Sequence, residues 1–184
     1  VVPISWTRDT IGPMARSVAD LALLDQVICG GGGEKADLAE FRIGVDRDFF
    51  CTDADPKVLE IFNAELQRIK EAGAEIVDVQ IKELEESIVA AGQGITMYEI
   101  VRSLPRYLEQ SGLDISIEDV FNQVAATGLG PFLTSLLDDN AISEEIYKLS
   151  IEQDRPALQK MYADCFSDNT IDALIFPATL IMPF

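Results

Sequence analysis

The sequence predicts an α/β fold: a small, mostly parallel β-sheet flanked by helices and carrying a helical insertion. Three observations lead there. Arg42–Asp46 and Glu75–Val79 are short strand-like runs separated by one amphipathic helix, the spacing of a right-handed βαβ unit. Ile171–Phe176 is nearly all apolar, as in a strand buried on both faces. Between these strands, residues 82–169 carry helical periodicity.

Each element has a local reason. Residues 1–16 hold Pro3, Gly12 and Pro13 and read as an irregular lead-in. Ser17 and Asp20 have capping-box spacing, so a helix starts there, with Leu21, Leu24 and Ile28 as its apolar stripe. That stripe predicts a helix packed on the sheet. Gly30 to Gly33 end it. Asp55 caps the βαβ helix, Pro56 occupies its first position, Leu59, Phe62, Leu66 and Ile69 form its apolar row, and Gly73 closes it. Five helices follow at about 82–91, 96–110, 116–126, 130–137 and 143–166, with Pro156 expected to kink the last.

Composition narrows the chemistry. The chain has 184 residues, close to one domain, and a formal charge of −18. With no histidine, Ser-His-acid and Cys-His nucleophiles and His-ligated zinc are excluded within it. The acidic field excludes nucleic acid as a partner. Val120–Leu137, the longest uncharged stretch, is interrupted by Asn122, Gln123, Gly128, Gly130 and Pro131, so no membrane span is expected. Cys29, Cys51 and Cys165 form no C-x-x-C pair, which predicts reduced thiols and a cytoplasmic setting.

Most motif-like features dissolve on inspection. Gly30–Lys35 lacks the preceding strand and the Gly-Lys-Ser/Thr ending of a phosphate loop and reads as a linker. Gly92 and Gly94 have Met97 where a dinucleotide fingerprint needs its third glycine, and read as helix punctuation. Asp46, Asp48, Asp53 and Asp55 lack calcium-loop spacing and read as a solvated loop with one helix cap. None of the ten serines has Lys three residues later, and no Gly-x-Ser-x-Gly elbow occurs. No pattern calls for a metal or cofactor, and no catalytic residue is assigned.

One stretch is more specific. Val2-Pro-Ile-Ser-Trp-Thr-Arg-Asp-Thr-Ile-Gly-Pro-Met-Ala-Arg-Ser-Val-Ala-Asp20, continuing to Asp25, closely resembles a segment of the amidase signature family. Its Pro-Ile-Ser-x-Thr-Arg lead-in is most similar to the indoleacetamide and mandelamide hydrolase branch. Agreement is strong over about the first 25 residues; the Arg42–Asp46 strand and Asp172–Pro177 add weaker support. Asp9, Arg16 and Asp20 are read as structural.

The resemblance implies a partial amidase-signature fold that hydrolyses a carboxylic amide through an acyl-enzyme, using a serine nucleophile, a second serine held by a cis peptide and a lysine base. In the family those groups precede the Asp-Thr-x-Gly-Pro segment. The chain, without an initiator Met, is accordingly expected to be a C-terminal part, inactive alone. On this reading 1–184 is a single partial domain: 1–80 a helix plus the βαβ unit, 81–170 the helical insertion, 171–184 a final strand and truncated tail. The family's order points to Thr96, Met97 and Tyr98 as substrate-binding residues, with a small-molecule amide as partner and an aryl or indolyl acyl group suited to a thioether and a phenol. Unpaired sheet edges leave a homodimer as a further expectation. The alternative is a non-catalytic acidic binding or scaffold domain derived from an amidase.

Overall fold

Arg42–Val45 (β1), Glu75–Asp78 (β2) and Ala173–Leu174 (β3) form a parallel sheet in the order β2-β1-β3. The computed structural model describes residues 2–31, 37–124, 128–138 and 142–182. Ile43 pairs with Ile76 on one side and with Ala173 on the other. The predicted third strand was six residues long; only two are paired, extended by the Asp172 N–H to Arg42 O and Ile175 N–H to Gly44 O bonds. Gly44 explains the tight packing here, because a Cβ on it would meet the Ile171 side chain at 2.5 Å.

The chain divides into two compact units, Val1–Thr10 with Glu83–Lys160, and Ile11–Lys82 with Met161–Phe184. The second unit contains the sheet. Its βαβ helix α3 (Pro56–Glu71) follows α1 (Val18–Cys29) and α2 (Arg47–Phe50) in the chain. Asp55 caps α3 by accepting from Lys57 N–H at 2.8 Å. Val58, Phe62 and Leu66 are its buried residues, with Leu59 and Ile69 half-buried. Phe62 and Leu66 pack with Val45 against Ile76 and Ile175. Burial of side chains of this size is worth about 1.5–3 kcal/mol each.

Two expectations for this unit are corrected. The Asp46 region was read as a solvated loop with one cap, yet Asp46 is 1% exposed and is itself a cap. It accepts from Phe49 N–H at 3.1 Å and from Ile81 N–H at 2.8 Å, satisfying the start of α2 and the strand exit together. The second correction concerns α1. It forms where expected, with Ser17 accepting from Asp20 N–H and Gly30 left-handed at φ 73°, but none of its residues is buried. Val18 is 81% exposed, and Leu23, Val27 and Ile28 are exposed too. Local capping suffices to form a helix; its apolar stripe requires a partner without saying which residues supply one. Of the Gly30–Lys35 linker, positions 32–35 lie outside the described residues.

In the other unit, α4 (Leu84–Gln110) is one continuous 27-residue helix. Gly92 and Gly94 were expected to punctuate it. They are instead close-approach positions: a Cβ on Gly92 would meet Arg8 Nη1 at 2.9 Å, and one on Gly94 would collide with Ser150 Oγ. Leu104 and Leu108 pack on Ile117 and Phe121 of α5 (Ile117–Asn122), with Leu133 of α6 (Leu129–Ser135) against them. Ser143 caps α7 (Glu144–Leu149). Next to Pro156, where a kink is expected, the helix takes a π turn over Ser150–Asp154, in which Arg155 N–H reaches Ser150 O, and Pro156 falls in the first turn of α8 (Arg155–Asn169). Pro156 has no N–H to donate to the preceding turn, and the π turn lies in that preceding turn.

Candidate functional site

The middle turns of α4 carry the predicted substrate-binding residues. Ile95, Glu99 and Ser103 succeed one another at helical spacing, and all three are buried. Thr96, Met97 and Tyr98 therefore fan out around the helix by about 100° each. The structure sends them to three places. Thr96 Oγ1 accepts from Arg8 Nη1 at 3.1 Å, and Arg8 also donates to Gly92 O at 2.9 Å. Met97 lines a cleft of about 380 Å³ with Val101, Arg102, Ile117, Glu118, Leu136, Leu137, Asp138 and Ile142. Tyr98 lies outside that lining and stacks on Tyr147 of α7, ring centroids 4.2 Å apart and planes 13° apart.

Arg102 joins the cleft to this stack. Its guanidinium carbon sits 3.5 Å from the Tyr98 ring centroid, while its Nη1 donates to Tyr98 O at 2.8 Å. Two groups this close to one ring must occupy opposite faces, so Tyr98 is sandwiched between Arg102 and Tyr147. Such a cation–π contact at a partly exposed position is worth about 0.5–1 kcal/mol. Trp6, 51% exposed, meets Tyr147 edge-on at 6.3 Å.

Sequence reasoning missed Glu99. Its carboxylate is 0% exposed and takes four bonds: Ser5 Oγ at 2.5 Å, Thr7 N–H at 3.1 Å, Thr7 Oγ1 at 2.9 Å and Tyr147 OH at 2.8 Å. Arg155 Nη2 in turn donates to Thr7 O at 3.2 Å and Thr7 Oγ1 at 3.1 Å. Burial, and next the bond to Glu99, push the Tyr147 phenol above its ordinary pKa, because a phenolate there would face a carboxylate. The available signal was an acid on the buried row, between Ile95 and Ser103.

Serine hydroxyls on this face donate within the protein. Ser5 donates to Glu99, Ser103 to Glu99 O at 2.7 Å, and Ser150 to Ala90 O at 3.1 Å. Among the described residues no group of three or more His, Cys, Asp or Glu side chains is placed to hold a metal ion, and no helix is long and apolar enough to cross a membrane.

Comparison with known proteins bears on what this face serves. An indoleacetamide hydrolase from Agrobacterium vitis is 31% identical over 179 residues, covering 96% of this chain and 38% of the relative. A mandelamide hydrolase from Pseudomonas putida is 28% identical, covering 97% of this chain and 37% of that protein. A crystal structure of an amidase superposes with a TM-score of 0.68 at 22% identity, over 98% of this chain and 37% of the other. The chain thus spans under two-fifths of the length of each of these three proteins. Because the amidase family model aligns with residues 1–184, from the Asp9–Asp20 run through α4 to the last strand, this chain belongs to the amidase family.

Proposed function

We propose that this chain provides scaffold and acyl-group binding for an enzyme that hydrolyses the C–N bond of a carboxylic amide through a serine acyl-enzyme. The nucleophilic serine, its cis-peptide serine partner and the lysine base are supplied by residues outside this chain. The 184 residues alone are then inactive, since losing a nucleophile or an oxyanion donor removes several kcal/mol of transition-state stabilisation each. Family membership supports amide hydrolysis. The commitment of Ser5, Ser103 and Ser150 to structural bonds, and the uncovered apolar residues of α1, support a site completed from elsewhere.

The observation that carries the binding half is the cleft at Met97. Its apolar wall of Met97, Val101, Ile117 and Leu136 suits a planar or branched apolar acyl group, and Arg102 at its edge can lie over an aryl ring. The relatives are named for indoleacetamide and mandelamide, which are aryl amides. Thr96, Met97 and Tyr98 are the proposed substrate-binding residues: Met97 by contact in the cleft, Tyr98 by holding Arg102, and Thr96 by anchoring Arg8.

The test is ammonia release from mandelamide by the purified chain. None is expected. Turnover abolished by replacing a serine of this chain would overturn the proposal that the nucleophile lies elsewhere. Turnover restored when the chain replaces the matching part of a mandelamide hydrolase supports the amidase reading. A chimera that folds and binds mandelamide but never turns over favours the non-catalytic binding domain.

A further inference from the structure

Glu99 is an acid with no exposed surface, and its four donors are three hydroxyls and one amide. Removing a carboxylate from water is costly unless its lone pairs are filled, so an acid kept here in place of a leucine has a positional reason. Its donors come from two separated parts of the chain. Ser5 and Thr7 belong to the signature segment, and Tyr147 belongs to α7. Tyr147 then stacks on Tyr98, and Tyr98 holds Arg102 at the edge of the cleft.

We infer that Glu99 is a positioning residue: its buried carboxylate seats the Ser5–Arg8 segment and Tyr147 on α4, and through the Tyr147–Tyr98–Arg102 stack it sets the guanidinium against which an aryl amide is selected. This rests on the proposed acyl-binding role of the Met97 cleft. Glu99 touches no ligand itself. Its influence runs through two side chains, and Arg8 adds a second tie by spanning Gly92 O and Thr96 Oγ1 from the same segment. An aliphatic amide, which offers no π face, does not draw on Arg102 in this way and is bound independently of the stack.

The experiment uses the full 184-residue chain, whose single tryptophan is Trp6. Acrylamide quenching of Trp6 reads the seating of the segment, and calorimetric affinities for mandelamide and for propionamide read the cleft. For Glu99→Ala, quenching is expected to rise and mandelamide affinity to fall about tenfold, the loss of one aromatic–cation contact of full strength, with propionamide affinity unchanged. Glu99→Gln, which can keep its oxygen toward the Ser5 hydroxyl and Thr7 N–H while its NH2 faces the Thr7 and Tyr147 hydroxyls, is expected to recover at least about half of each effect on a logarithmic scale. Where Glu99→Ala does not fold, Thr7→Val and Tyr147→Phe remove donors singly and are expected to shift the same two readouts in the same direction. Unchanged quenching, or equal loss for both amides, overturns the inference. If the wild-type chain binds neither amide, the acyl-binding reading fails, and the quenching result alone then decides whether Glu99 seats the segment.

Discussion

Ser5 and Glu99 are 94 positions apart in sequence, and the Ser5 hydroxyl donates to the Glu99 carboxylate at 2.5 Å with both side chains buried. That bond ties the signature segment to α4 without any hydrophobic contact at its centre. Ser5→Ala withdraws one of the carboxylate's four donors, and an unsatisfied buried acceptor of this kind costs about 1–3 kcal/mol. Chemical denaturation is expected to show a lowered midpoint with an unchanged slope.

Asp46 connects α2 to the residues after β2 through the Phe49 and Ile81 amides. Asp46→Ala leaves both donors without this partner, and a loss of about 2 kcal/mol or more is expected, at the upper end for a helix cap. Asp46→Asn keeps one acceptor oxygen but turns its NH2 toward the other N–H donor, so it is expected to lose at least about half of that. An Asp46→Ala protein as stable as wild type contradicts the pair of bonds.

Gly94 is tight because Ser150 occupies the space its Cβ needs. Gly94→Ala overpacks α4 against the π turn, with an expected cost of about 1–3 kcal/mol. Ser150→Gly removes the opposing atoms, so the double variant is expected to be more stable than the sum of the single losses predicts. A double-mutant cycle measures that coupling, and strict additivity contradicts the contact.

Tyr147 gives an alkaline dependence whose sign follows from its raised pKa. A proton held more tightly by the folded state than by the unfolded one contributes stability that is complete below the unfolded tyrosine value near 10 and is lost as pH rises through the folded value. Unfolding free energy is therefore expected to fall as pH rises above about 10, and Tyr147→Phe to lose that part of the slope. A slope shared equally by both proteins assigns the effect to other groups.

Asp25 and Cys29 make a smaller pair on the exposed face of α1. The Cys29 thiol lies 3.4 Å from Asp25 Oδ1, and that hydrogen bond, with the carboxylate's charge, raises the thiol pKa. Cys29 is expected to react with iodoacetamide more slowly than a free thiol at pH 8, and Asp25→Asn to accelerate it. Mass-spectrometric rates per cysteine check this.

Local rules made much of the architecture legible. Ser17 and Asp55 are caps with acceptor side chains in place, Pro56 opens α3, and the runs around Ile43 and Ile76 are two of the three strands. The misses share a cause. Gly92 and Gly94 read as breaks because a glycine's local cost is visible in sequence, whereas the Arg8 and Ser150 side chains that need its absent Cβ are not. Asp46 read as solvated because its second bond comes from Ile81, 35 residues on. At the candidate site the family's order points to one turn of α4, where helical geometry separates Thr96, Met97 and Tyr98, and the partners Tyr147 and Ser5 arrive from elsewhere in the chain.

Binding of an aryl amide in the cleft beside Met97 is the claim on which the functional reading turns. Titration calorimetry of mandelamide into the wild-type chain and into Met97→Ala tests it most directly. Saturable one-to-one binding that weakens about tenfold in the variant, with helix content unchanged, is the expected result for removing the thioether from an apolar wall. Superimposable isotherms for the two proteins contradict it.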